Sequence, residues 1–151
     1  MLLLRRKLDD HVTAVNGYAE GFLVKQGGRI KSWKQRYFVF HDGSLTYRKD
    51  SRENSKVLRT DVVVDVFYWG GVEHGLTIKL SSGRLLNLSA VNENQANVWY
   101  EVLQDYLQSK QRVRQLASVF RQRQRRLTPI WETVNDCESI VQAWAKRRER
   151  A

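Results

Sequence analysis

The stretch KQGGRIKSWKQRYFVF, residues 25–40, carries five basic side chains and no acid, and closes on four consecutive apolar residues. The paired glycine Gly27-Gly28 opens a loop after a first strand, Phe22 to Gln26, and a second strand runs from Trp33 to His41. Alternation along that second strand puts Trp33, Gln35 and Tyr37 on one face and Lys34, Arg36 and Phe38 on the other. The charged pair therefore shares a face with a residue that reads as core.

Working outward, short apolar runs cut by turn residues predict an antiparallel sheet of up to seven strands. Asp42-Gly43 marks a tight hairpin into Leu45 to Lys49, and the polar stretch 50–55 leads to strands near Lys56 to Thr60 and Val62 to Tyr68. Gly70-Gly71 and Gly75 break the chain before Leu76 to Leu80, and Ser81-Ser82-Gly83 turns it into Leu85 to Ser89. Asn92, with Gln95 three residues on, has the spacing of a helix capping box. Beyond it Trp99, Leu103, Tyr106, Val113, Ala117 and Phe120 recur at helical spacing. Thr128-Pro129 reads as the start of a second helix, with Trp131, Val134, Cys137, Val141, Trp144 and Ala145 on one face, so the C-terminus is expected to form a helical hairpin. Upstream, Leu4, Leu8, Val12 and Val15 suggest a short amphipathic helix, the basic MLLLRRKL start leaving an organellar presequence as the alternative.

Of 151 residues 42% are apolar, enough for a packed core, and the net charge of +10 points to an anionic partner. That charge is uneven: residues 111–151 hold ten basic and four acidic groups, whereas residues 17–110 hold thirteen and ten. One cysteine, Cys137, excludes an internal disulfide and a cysteine-based zinc site and suits a reducing compartment. His11, His41 and His74 lack carboxylates or cysteines at ligand spacing and read as surface residues, so no metal and no cofactor is expected. The chain shows no G-x-S-x-G, phosphate-loop or paired-carboxylate arrangement, and is read as a non-enzyme.

Gly21, Phe22, Leu23 and Lys25 in the first strand, Trp33 through Val39 in the second, Leu45 and Tyr47 in the third and Trp99 in the helix together resemble a pleckstrin homology (PH) domain spanning about residues 19–110. The resemblance implies a mainly β fold, a bent seven-stranded antiparallel barrel capped at one end by a C-terminal helix. Residues 25–47 look most like the cytohesin-type branch that binds 3-phosphoinositides. By that likeness Lys25, Lys34, Arg36 and Tyr47 face inositol phosphates, with Arg29 and Lys31 in the loop, Lys56 or Arg52 as a further contact, and Ile30 touching the membrane. Cytohesin-like domains lengthen the connection between the last two strands and use it for the headgroup; only Ser81-Ser82-Gly83 stands here.

The remaining segments are residues 1–18, a basic extension of the helix at 111–127, and an amphipathic helix at 128–151. Arg114, Arg121 and Arg125 fall on one side at helical spacing. They read as a solvated face, a membrane-facing polybasic helix or, with Trp131 and Trp144, a docking surface for a protein partner. A nucleic acid fits less well, because the basic stretch lacks aromatic platforms for bases. The expected function is a cytoplasmic adaptor held peripherally at membranes by phosphoinositides; the alternative is a structural subunit of a larger assembly that uses the same fold for packing.

Overall fold

The computed structural model describes residues 12–15 and 17–148 and divides into two compact units, Met1–Lys110 and Gln111–Ala151. In the first unit seven strands follow one another in sequence order, β1 (Thr13–Val15), β2 (Tyr18–Gln26), β3 (Trp33–His41), β4 (Ser44–Arg48), β5 (Val57–Tyr68), β6 (Gly75–Leu80) and β7 (Leu85–Ser89), each antiparallel to the next. A further pairing of β2 with β7, Val24 against Ser89 and Lys25 against Leu88, closes the sheet into a barrel. One helix, α1 (Glu93–Arg148), follows. Among the described residues no helix is long and apolar enough to cross a membrane.

Alternation explains the core. Ala19, Leu23, Phe38, Phe40, Leu45, Leu76, Ile78, Leu86 and Leu88 point inward, each at most 2% exposed. Trp99 and Leu103 of α1 join them with no exposed surface, so the helix stops one end of the barrel. Its start is secured as the spacing of Asn92 and Gln95 predicts. The Asn92 side chain accepts from the Gln95 N–H at 2.8 Å, and Gln95 Oε1 accepts from the Val91 N–H at 2.8 Å. Gln95 Nε2 also donates to the Phe22 carbonyl at 3.4 Å, which ties the helix start to β2.

The β3–β4 hairpin turns through Asp42 and Gly43, both at positive φ (45° and 83°), the geometry of a type I′ turn. Gly43 is also required by packing, since a Cβ there would lie 2.5 Å from the Tyr106 hydroxyl.

Three expectations are corrected. The two strands expected around residues 56–60 and 62–68 are one, because β5 is the corner strand. Its first half pairs with β4 and its second with β6, and register shifts at Tyr47/Arg48 and Val63/Asp65 let it bend without breaking. Asp61, which stands between the two expected strands, accepts hydrogen bonds from the Ser81 and Ser82 hydroxyls at 2.9 and 2.5 Å. The seventh strand is instead β1, so the helical spacing read through Val12 and Val15 does not hold. β-Branched Thr13 and Val15 pair with Glu20 and Tyr18 across a turn in which Gly17 has φ 74°. Leu4 and Leu8 lie outside the described residues.

The third correction concerns the hairpin of helices: α1 runs without a break through Thr128-Pro129. Proline's fixed φ is itself helical, and its cost inside a helix is one lost N–H donor and crowding of the preceding turn. The side chains of Trp131 and Trp144 lie outside the described residues.

Trp99→Ala is expected to lower the unfolding free energy by about 3–5 kcal/mol, and Gln95→Ala, which loses the cap, by about 1 kcal/mol. Chemical denaturation of both variants checks this order.

Candidate anion-binding site

The barrel end away from Trp99 is open, and its rim is made by the strands that the basic stretch occupies. The Leu23–Arg36 and Lys25–Lys34 pairs of the β2–β3 ladder lie on the inward face, one and two steps beyond the buried pair Gly21–Phe38. Lys25, Gly27, Gly28, Arg29, Ile30, Ser32, Lys34, Arg36, Tyr47 and Leu58 line a cleft of about 340 Å³. Four of these residues are cationic and none is a carboxylate.

Lys25 is the most enclosed of the four, 9% exposed, with its ammonium 5.4 Å from the centre of the Tyr47 ring and donating to the Gln26 carbonyl at 3.1 Å. Burial first, then the charges of Arg84, Arg36, Arg59 and Lys34, hold it below the usual lysine range. Tyr47, itself 9% exposed, packs on Phe38 with ring centres 5.3 Å apart and forms the floor. Arg36 spends one donor on the Gln35 carbonyl at 2.8 Å, which leaves the rest of the guanidinium for a ligand.

The loop over the cleft is closed by its own backbone. Gly27 N–H donates to the Ser32 carbonyl at 2.8 Å, and Ser32 N–H to the Ile30 carbonyl at 2.7 Å. A Cβ on Gly27 would fall 2.1 Å from the Ile30 oxygen, so only glycine permits this closure. Because the Gly27 N–H is used inside the loop, the donors the cleft offers are mainly side chains. Ile30 stands at the tip with 78% of its surface exposed.

Lys31 and Lys56 are exposed and do not line the cleft, and Arg52, the alternative to Lys56, is engaged by Asp50 through bonds of 2.7 and 3.2 Å. That arginine pulls the Asp50 carboxyl down to about 2. Two cations that sequence reasoning passed over stand near instead. Arg84, directly after the short β6–β7 turn, reaches the β2–β3 loop closely enough that a Cβ on Gly28 would lie 2.8 Å from its guanidinium. Arg59 pairs with Tyr47 across β4–β5 and bonds Asp61 at 3.3 Å and Ser82 at 3.4 Å. The signal for Arg84 in the sequence is its place one residue past Gly83, at the end of the short Ser81-Ser82-Gly83 turn.

In the second unit Arg114, Arg121 and Arg125 line one groove on the helix face with Ala117, Ser118 and Gln122. A larger groove of about 740 Å³ in the first unit holds Tyr18, His41, Asp42, Asp105 and Tyr106; with two carboxylates and no lysine or arginine, it does not suit an anion. Among the described residues no cluster of metal-ligating side chains occurs.

The PH domain family model matches residues 18–108, and the chain belongs to that family. It is 53% identical over 34 residues to the human "Dual adapter for phosphotyrosine and 3-phosphotyrosine and 3-phosphoinositide", a match covering 22% of this chain and 12% of that protein. It is 49% identical over 35 residues to mouse cytohesin-4, covering 23% and 9%. The chain thus spans only about a tenth of the length of these relatives. Among solved structures it resembles the C-terminal PH domain of pleckstrin in complex with D-myo-Ins(1,2,3,5,6)P5, with TM-score 0.54 and 22% identity over 64% of this chain and 96% of that one.

Lys25 releases its proton more readily in the folded state than in the unfolded one, so its charge opposes folding at neutral pH. Lys25→Met, which keeps the buried stem, is expected to raise the thermal midpoint at pH 7. The gain should shrink as pH rises from the depressed value toward the ordinary 10.5, a dependence that calorimetry at several pH values reads directly.

Proposed function

We propose that this chain is a non-enzymatic adaptor whose PH domain binds a phosphoinositide headgroup and holds the protein at the cytoplasmic face of a membrane, while its C-terminal helix engages a protein partner. The observation that carries the first part is the cleft itself: Lys25, Arg29, Lys34 and Arg36 converge on one opening, no carboxylate lines it, and burial first, then repulsion from the neighbouring cations, holds Lys25 below the usual lysine range. A polyphosphate relieves that repulsion. Arginine can fork two phosphate oxygens and lysine supplies a point charge between them.

Arg84, whose guanidinium lies close to Gly28 of the same loop, is a further donor near the opening, supplied by the short β6–β7 connection in place of the longer one of cytohesin-like domains. Asp61, held by two serine hydroxyls and Arg59 and therefore acidic to about 2, balances Arg59 and leaves the other cations unneutralised. Arg29 and Lys31 flank Ile30, so the exposed side chain can enter the lipid interface while its neighbours meet anionic headgroups. Each such basic residue contributes about 1 kcal/mol near an anionic surface. The pleckstrin domain that this fold resembles holds an inositol pentakisphosphate, and the human relative is named for a 3-phosphoinositide, which supports the same ligand class here.

Isothermal titration with soluble inositol phosphates is expected to show Lys34→Ala and Arg36→Ala each weakening binding by about ten- to a hundredfold. Unchanged affinity in both variants would remove the cleft as the site. Ile30→Ser should leave headgroup affinity intact and reduce co-sedimentation with phosphoinositide vesicles; equal retention would place the loop tip away from the membrane.

A further inference from the structure

In the second unit, residues 111–125 of α1 present large apolar side chains to solvent. Val113, Leu116, Val119 and Phe120 are 64%, 61%, 52% and 66% exposed, an unusual density for a solvated face. Over the same residues the chain carries Arg112, Arg114, Arg121, Arg123 and Arg125 and no acid.

Helical spacing sorts these side chains into strips. At about 100° per residue, Leu116, Phe120 and Val113 fall within about 60° of one another and make an apolar centre, with Ala117 and Gln124 on one shoulder and Val119 on the other. Arginines stand on both sides of that centre. Arg112 and Arg123 lie between Leu116 and Val119, and Arg121 and Arg114 lie beyond Ala117. The side facing away from the apolar centre holds Gln111, Gln115, Ser118 and Gln122, polar but uncharged, with Arg125 at its border.

An apolar centre, arginine flanks and a neutral far side match what an anionic lipid surface asks of a helix lying in it. The apolar side chains enter the acyl boundary, the arginines at the waterline meet headgroup anions, and the outer side needs only to be wet. An arginine lays its apolar stem along hydrocarbon while its guanidinium reaches up to the headgroups, so Arg112 and Arg123 fit beside Leu116 and Val119. A protein packed over the same stripe would bury those two guanidiniums, and this segment has no carboxylate to pair with them. Charge thus favours a surface that offers anions all along the helix over a dry apolar seam.

We infer that residues 111–125 are a membrane-surface helix that binds anionic phospholipid through Val113, Leu116, Val119 and Phe120, with arginines on both flanks. The inference goes beyond the proposed function, because this contact needs no phosphoinositide and does not use the cleft. The protein partner proposed above is left to the helix beyond residue 125.

Co-sedimentation of the full chain with vesicles of phosphatidylserine and phosphatidylcholine, free of phosphoinositide, tests it. Binding is expected there and not with phosphatidylcholine alone, and it should weaken as salt is raised. Leu116→Asp and Phe120→Asp are each expected to reduce it by about tenfold or more, while circular dichroism and inositol phosphate titration stay unchanged. Lys34→Ala combined with Arg36→Ala should leave most of this binding in place, so that failure of the cleft and failure of the helix contact are read apart. The face is read by an environment-sensitive fluorophore carried by Leu116→Cys or Ser118→Cys in a Cys137→Ser chain. On anionic vesicles the label at 116 should shift to the blue and the label at 118 should not. No binding to these vesicles overturns the proposal, as do equal shifts at the two positions. Vesicle binding that survives both aspartate variants and falls with the Lys34 and Arg36 substitutions would assign the contact to the cleft instead. A concentration-dependent dimer that Leu116→Asp disrupts, with vesicle binding unchanged, would assign the stripe to a protein surface.

Discussion

The short pairing of β2 with β7 is the constraint on which the rest of the first unit depends. Without Val24 against Ser89 and Lys25 against Leu88, the seven strands would be an open meander with two free edges. With it, the inward faces enclose one core, α1 can stop one end with Trp99, and the other end becomes a rim. Lys25 lies on the seam itself, between Lys34 on one side and Leu88 on the other, so closure also holds a lysine ammonium where water is scarce.

That coupling of closure to charge explains how the domain tolerates its basic corner. The cations around the mouth repel one another in the free protein, and the fold answers with stabilisation from elsewhere: a buried apolar core, a capped helix and a barrel seam. Asp61 is held by the Ser81 and Ser82 hydroxyls and Arg59 and does not line the cleft.

Much of the first unit was legible because its signals are local. Period-two alternation from Trp33 to Phe40 assigned the inward face correctly, Asp42-Gly43 announced its turn, and Asn92 with Gln95 announced the helix start. The same local reading failed where pairing partners decide. Asp61 stands between two expected strands until its serine partners across the β6–β7 turn are seen, and Val15 fits a helix as well as a strand until β2 offers it hydrogen bonds. Arg84 was missed for the same reason: Ser81-Ser82-Gly83 measures the turn, but only the folded sheet brings the next residue over the β2–β3 loop. Thr128-Pro129 carries every sequence mark of a helix start, yet the chain keeps a helical path through it.

By itself, then, the sequence determined the family, the inward alternation of Lys34 and Arg36, and the uneven charge along the helix, all of which follow from residue type and spacing of a few positions. The tertiary structure alone decided which cations gather at one mouth. It took Lys25, Arg29, Lys34 and Arg36 into the cleft lining, set Arg84 over the loop, and left Lys31 and Lys56 outside. The reason is physical: convergence of charge is a property of strands that meet across closure and bends, and the distance between Arg84 and Gly28 is written only in how the sheet closes.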